Sequence, residues 1–297
     1  MNAIHPMAEA VAHVIIGLFA LACIIPFVLV VIVSFTDEAS VAINGYQFIP
    51  EKWSLAAYKT TFQSGEQLLK SYGVSIFITV VGTACSVIGT TLYAYPLYRR
   101  QFPYRKFFTF FAFFTTLFSG GLVPSYMLIR NVLGLADTIW VLILPLLVNP
   151  FNIILMRTFF TNSIPDSLVE AAAIDGCGEY RTLFQIVLPL SLPAVATIGL
   201  LNALGYWNDW FTALLYINNP NLMPLQFLLM KLERNAQFLI QNASSIGGSQ
   251  LLELTKNLPV ESMRMVMIVL AVLPIACAYP FFQRYFISGL TVGAVKG

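Results

Sequence analysis

The stretch Val14-Ile-Ile-Gly-Leu-Phe-Ala-Leu-Ala-Cys-Ile-Ile-Pro-Phe-Val-Leu-Val-Val-Ile-Val-Ser-Phe35 runs for 22 residues without a charge. A bilayer core about 30 Å thick is crossed by about 20 apolar helical residues. Inside hydrocarbon every backbone N–H and C=O must be bonded within the segment, so such a run dictates a helix. It is longer than the apolar core of a signal peptide. No small-residue cleavage site follows before Asp37 and Glu38, so the helix is read as retained.

Five further runs of this kind follow: Tyr72–Leu97, Phe107–Leu128, Thr138–Met156, Phe184–Trp207 and Met265–Gln283. All 30 charged residues and both histidines, His5 and His13, fall outside the six runs. The chain is 58% apolar and only 10% charged, with a mean hydropathy of +0.77. Soluble domains carry roughly a quarter charged residues. That excludes an ordinary cytosolic enzyme and a disordered protein, and the net charge of +2 is too small for nucleic-acid binding. Cys23, Cys85, Cys177 and Cys277 lack metal-ligand spacing, and three lie inside apolar runs. The expected fold is an all-α polytopic membrane protein with six transmembrane helices, one domain over residues 1–297. No internal repeat, low-complexity tract or linker divides it.

Orientation follows from Lys and Arg in short loops. Tyr98–Lys106 holds Arg99, Arg100, Arg105 and Lys106, the densest basic cluster, and is placed in the cytoplasm. Six spans then put both termini inside, together with Arg157–Leu183. Thr36–Ser71, Ile129–Asp137 and Asn208–Arg264 fall outside. Every span carries proline: Pro26, Pro96, Pro124, Pro145, Pro150, Pro189, Pro193, Pro274 and Pro280. These are either ordinary kinks or breaks lining a path. Pro124, after Ser119, Gly120 and Gly121, marks the third span as the most irregular.

Site chemistry is sparse. There is no GxxxxGK[ST] run to cradle nucleotide phosphates. Two amino-terminal histidines assemble neither a catalytic triad nor a metal site, so no catalytic and no metal-ligating residue is expected. The uncharged spans argue against an ion-coupled transporter or channel, which places an ionisable residue at membrane depth. Energy must then come from a partner.

The inside segment between the fourth and fifth spans contains Pro165-Asp-Ser-Leu-Val-Glu-Ala-Ala-Ala-Ile-Asp-Gly-Cys-Gly-Glu-Tyr-Arg181. Ser163 is positioned to cap a helix with Pro165 in its first turn. That helix is expected to run to Asp175 and to end at Gly176 or Gly178. Ala171, Ala172 and Ala173 give it a small face, and Glu170 offers a carboxylate to a basic partner. A second short helix from Glu179 leads toward Pro189. The residues alone leave two readings open, a solvated linker and a hairpin that transmits force.

Glu170-Ala171-Ala172, three residues, Gly176, nine residues, Ile186, one residue, Leu188-Pro189 resembles the EAA motif of binding-protein-dependent ABC importer permeases. Trp207-Asn208-Asp209 resembles the Trp-Asn-acidic run of the carbohydrate-type permeases. The tail Gly289–Gly297 resembles that of the MalG-like members, and Gly247–Pro259 that of the LplC-like members, a subgroup associated with complex or acidic oligosaccharides. The resemblance implies the type I importer permease fold. The expected function is half of the translocation path for an oligosaccharide, in a bacterial inner (plasma) membrane. It implies that the loop from about 157 to 183 docks on an ATPase, with Glu170, Ala171, Ala172, Asp175 and Gly176 as coupling residues. It also implies a second non-identical permease, an ATPase dimer holding ATP and magnesium, and an extracytoplasmic sugar-binding protein. No cofactor is expected in this chain. A permease for a non-sugar solute, a secondary transporter and a membrane enzyme are the rival readings.

A sugar path needs uncharged hydrogen-bonding and aromatic side chains. Asn149 and Asn152, expected on one helical face of the fourth span, and Asn202, Tyr206 and Trp207 on the fifth are the candidates. The alternative is interhelical bonding by the asparagines and interfacial anchoring by the aromatics. The 57-residue segment Asn208–Arg264, with a tip at Asn242–Ser249, is expected to touch the binding protein.

Overall fold

The computed structural model describes residues 6–63, 65–242 and 259–294. In chain order the helices are α1 (Pro6–Ser34), α2 (Glu38–Asn44), α3 (Ala56–Phe62), α4 (Gly65–Tyr98), α5 (Arg105–Leu117) and α6 (Leu122–Met127). There follow α7 (Pro150–Ser163), α8 (Asp166–Ile174), α9 (Glu179–Thr182), α10 (Leu188–Leu190), α11 (Leu192–Asn208), α12 (Phe211–Tyr216), α13 (Leu225–Asn242) and α14 (Val260–Ala294). Short π and 3-10 turns join some of them, and the sole extended pairing among the described residues is one antiparallel bridge, Thr36 to Trp53.

Among the described residues three helical stretches are long and apolar enough to cross a membrane: Ala10–Ser34, Gly65–Tyr98 and Val260–Pro280. Pro26 and Pro96 sit inside continuous helices. Three more stretches qualify only as bent pairs. Arg105–Leu117 and Leu122–Val132 meet at 111°, Ile139–Leu146 and Pro150–Ser163 at 49°, and Glu179–Leu190 and Leu192–Asn208 at 82°. The expected irregularity after Ser119 is the sharpest of these, with Gly121 at φ 85°, a conformation glycine adopts freely. Pro150 and Pro193 open helices after a bend, in the first turn, where proline's missing N–H costs nothing.

The chain divides into two compact units. In one, Met1–Glu66 with Leu229–Pro274, the Glu38 carboxylate accepts the backbone N–H groups of Glu261 and Ser262, both at 3.0 Å. It caps the start of α14, where four orphan N–H groups and the helix dipole favour an anion. The Ser262 hydroxyl donates to the Thr36 carbonyl at 3.0 Å. Arg264 holds Glu233 and Glu261, each at 3.0 Å.

The other unit is Gln67–Leu228 with Ile275–Gly297. Its core joins α4, α7, α8 and α11 through Ala94, Leu97, Ile153, Met156, Phe160, Val169, Leu183, Val187 and Ile198, none more than 2% exposed. Helices α4 and α11 come into close contact where Gly82 faces the Tyr206 ring. A Cβ at Gly82 would lie 2.5 Å from the ring carbon Cζ. The expected tip Asn242–Ser249 beyond Asn242, most of Gly247–Pro259, and the last three tail residues lie outside the described residues.

Candidate functional site

Helix α8 starts and stops by local rules. Ile164 precedes Pro165 and is extended, at φ −109° and ψ 115°, as a residue before proline prefers. The break therefore falls at Ile164-Pro165. Ser163, expected as a cap, is instead the last residue of α7, and Pro165 occupies the cap position. Helix α8 ends at Ile174, with Gly176 in the left-handed region at φ 76°. The Cys177 N–H donates to the Ala172 carbonyl at 2.9 Å and the Gly176 N–H to Ala173 at 3.1 Å. This Schellman ending settles the choice between Gly176 and Gly178 in favour of Gly176.

Two faces of α8 differ. Val169 and Ala172 are buried, 1% and 5% exposed, and Val169 belongs to the core. Glu170, Ala171, Ala173, Asp175 and Gly176 are exposed, and Ile174 is 86% exposed. A Cβ at Gly176 would meet nothing within 4 Å. Of the five expected coupling residues, four thus share an open surface, and Ala172 anchors the helix beneath it.

This hairpin is tied to the end of α4 by contacts that the linear pattern did not reveal. Glu179 accepts from Arg99 Nη2 at 2.7 Å and from the Tyr95 hydroxyl at 2.5 Å, and Arg100 pairs with Asp166 at 2.8 Å. Arg99 is mostly buried and Arg100 largely exposed. The basic cluster was legible as a topology signal, but 80 residues separate Arg99 from Glu179.

The expected path residues separate into two groups. Asn149 does not share a helical face with Asn152. It is the cap of α7, extended, exposed, and accepting the Phe151 N–H through its side chain at 3.0 Å. An Asn immediately before Pro150 carries that signal, since Asn favours the cap and Pro the first helical position. Asn152, Asn202, Tyr206 and Trp207 are all buried. Asn152 Nδ2 donates to Asn202 Oδ1 at 2.8 Å, bonding α7 to α11. The Tyr206 hydroxyl donates to the Ile143 carbonyl at 2.9 Å. Trp207 lies 6.5 Å from Tyr72, ring centre to ring centre.

Among the described residues the Asn202 amide nitrogen remains buried without a partner. So do the hydroxyls of Thr79, Thr83, Ser86, Thr90 and Thr91 on α4. Ser75, on the same helix, accepts the Leu225 N–H at 2.7 Å. Small hydroxylated residues at positions 71, 75, 79, 86 and 90, spaced by four and seven, were the available signal for this stripe.

In the same unit Asp137 stands at φ 60° and accepts the N–H groups of Asn218 and Asn219, both at 2.8 Å. These two backbone donors hold its carboxyl below the ordinary carboxylate range.

Residues 8–292 match the family described as binding-protein-dependent transport system inner membrane component. The chain is 42% identical over 280 residues to the polygalacturonan/rhamnogalacturonan transport system permease protein YtcP of Bacillus subtilis, covering 94% of this chain and 95% of the relative. It is 41% identical to Protein LplC of the same organism, covering 92% and 90%. It is 28% identical to the arabinooligosaccharides transport system permease protein AraQ of Halalkalibacterium halodurans, covering 94% and 93%. A solved chain from the crystal structure of a bacterial ABC transporter involved in the import of the acidic polysaccharide alginate superposes with a TM-score of 0.76 at 30% identity. That match covers 95% of this chain and 97% of the other.

Proposed function

The chain belongs to the family of binding-protein-dependent transport system inner membrane components, and from that premise we propose that it forms half of the translocation path of an ATP-driven oligosaccharide importer. The observation that carries the coupling role is α8: a short helix with a buried inner face, an exposed outer face bearing Glu170 and Ile174, and a fixed glycine ending. An exposed apolar face next to a carboxylate is a surface made for a protein partner. The partner is one subunit of an ATPase dimer, which holds the ATP and magnesium. This chain supplies no catalytic group.

On this reading each bent pair is one span, the chain has six, and α8 and both termini lie in the cytoplasm. ATP binding closes the ATPase dimer and moves α8. The movement reaches α7 through Ile164-Pro165, α11 through the segment from Glu179, and α4 through Arg99 and Arg100. The bundle, paired with a second non-identical permease, then opens outward to a sugar-loaded binding protein, and hydrolysis resets it. The segment between α11 and α14 faces that protein.

A sugar is the substrate class favoured by the relatives, two of which are named for polygalacturonan/rhamnogalacturonan and arabinooligosaccharides, and by the structural match to an alginate importer. Uncharged polar groups with spare capacity, Asn202 Nδ2 and the α4 hydroxyls, supply donors suited to sugar hydroxyls. Asn152 and Tyr206 already hold protein partners and position Asn202 and the α4–α11 contact. A permease for a non-sugar solute has no such support.

The test is made on the assembled transporter. Glu170→Lys and Gly176→Asp should each abolish sugar-stimulated ATP hydrolysis and uptake while the bundle stays folded and inserted. Normal stimulation and uptake in both variants would leave α8 a solvated linker. A screen of neutral and acidic oligosaccharides against the cognate binding protein identifies the sugar.

A further inference from the structure

Helix α5 carries Phe107, Phe110, Phe111 and Phe114 exposed, with Phe118 exposed just past its end, and it begins at Arg105 and Lys106. An aromatic helix face of this size beside a basic start is the pattern of a segment entering the bilayer from its headgroup region. Behind that start lies a cavity of about 490 Å³, lined by Tyr98, Arg100, Arg105, Arg157, Asn162 and Asp166 among others.

Three guanidinium groups meet one carboxylate there. Arg100 pairs with Asp166, while neither Arg105 nor Arg157 forms an ion pair among the described residues. The charged neighbour acting on Arg157 is Arg105, another cation. Arg157 is half-buried, and its Nε is inaccessible with no hydrogen-bond partner among the described residues. Leaving one donor of a half-buried guanidinium unbonded beside a like charge is costly unless an anion completes the site. Guanidinium forks suit the tetrahedral oxygens of a phosphate. Thr161 and Asn162, also in the lining, add neutral polar groups.

We propose that this arginine-lined cavity binds the phosphate headgroup of an anionic phospholipid, with the acyl chains lying along the exposed aromatic face of α5. The proposal rests on the reading that Tyr98–Lys106 lies at the cytoplasmic membrane surface. Basic pockets at that depth between helices recruit anionic headgroups. The occupied cavity joins the foot of α4, the start of α5, α7 and the first residue of α8. The bound lipid therefore stiffens the base on which the α8 hairpin moves.

The experiment uses the complete transporter in nanodiscs of phosphatidylcholine with a graded fraction of phosphatidylglycerol. Lipid retained by the complex is counted by mass spectrometry after exchange into detergent. The wild-type complex should retain phosphatidylglycerol in preference to phosphatidylcholine. The double variant Arg105→Gln/Arg157→Gln should lose that preference by about thirtyfold, two charges at the usual worth of a surface cation toward an anionic headgroup. The double variant Arg105→Lys/Arg157→Lys should keep most of it, which separates lost charge from lost folding. Equal retention by the wild type and the glutamine variant would overturn the proposal. So would displacement of the lipid by millimolar inorganic phosphate or by an acidic oligosaccharide, since either would show that the cavity takes a soluble anion. Uptake in the same discs' parent liposomes reads the transport function separately. A wild-type complex that retains phosphatidylglycerol but imports nothing would sink the importer assignment and leave the lipid site standing.

Discussion

Replacing Gly176 separates a backbone requirement from a docking requirement. Gly176 sits at φ 76°, where an L-residue with a Cβ is strained by about 1–2 kcal/mol. Within this chain a Cβ there meets nothing within 4 Å, so the whole intrinsic cost is conformational. Gly176→Ala should shift the equilibrium between the closed and frayed helix end by about 5- to 30-fold. Gly176→Asn carries a larger side chain into the same open space, but asparagine tolerates the left-handed region, so its strain is smaller. If Gly176 served only the Schellman ending, the asparagine variant would outperform the alanine variant. If an ATPase surface closes over that space, both fail, and asparagine fails at least as badly because it is bulkier. The assay is sugar-stimulated ATP hydrolysis by the reconstituted complex, with co-purification of the ATPase as a second readout. Both variants should lose at least tenfold in stimulation. Near-normal stimulation by Gly176→Asn would refute docking at this position and leave Gly176 with a purely local role.

Three further predictions follow from the same geometry. Glu179→Gln keeps the shape of the brace to Arg99 and Tyr95 but removes its charge. A half-exposed pair is worth about 1 kcal/mol or less, so ATP hydrolysis should become several-fold less responsive to sugar while assembly persists; unchanged responsiveness would mean that the brace transmits nothing. Tyr206→Phe should cost only about 1 kcal/mol, the hydroxyl bond to Ile143, whereas Gly82→Leu must displace the ring and should sharply lower the amount of assembled transporter; equal yields of the two would contradict the close α4–α11 contact. Asp137 has a depressed folded value, so its anchoring of Asn218 and Asn219 is fully present at neutral pH and is lost as the pH falls through that value. Hydrogen exchange at residues 218 and 219 should be faster in Asp137→Asn than in wild type at pH 7, and identical exchange would show that the carboxylate anchors nothing.

What could be read in the linear chain was what depends on neighbours in sequence. The uncharged runs marked α1, α4 and α14 because hydrocarbon burial and helix formation act on contiguous residues. The glycine ending at Gly176 was legible for the same reason, whereas the expected small face divides, with Ala172 buried and Ala171 and Ala173 exposed. The bends were only partly so. Gly120 and Gly121 pointed to the 111° break, but Pro145, Pro150, Pro189 and Pro193 gave no means of telling a kink from a break. Proline's effect depends on which neighbouring groups take up the freed carbonyls. At Ser163 the capping tendency of serine yields to the extended preference that Pro165 imposes on Ile164. Asn149 does not share a face with Asn152 because α7 starts between them, leaving Asn149 extended at the cap. Contacts over long separations, Arg99 to Glu179 or Asn152 to Asn202, depend on packing that no local pattern encodes.

The central assignment is an importer permease driven by a partner's ATP hydrolysis. Its most direct test is oligosaccharide uptake into proteoliposomes containing the complete transporter, with the binding protein outside and ATP inside. Uptake should require both ATP and the binding protein, should survive a protonophore, and should vanish with Glu170→Lys in this chain. Uptake that proceeds without ATP and collapses with the proton gradient would contradict the assignment.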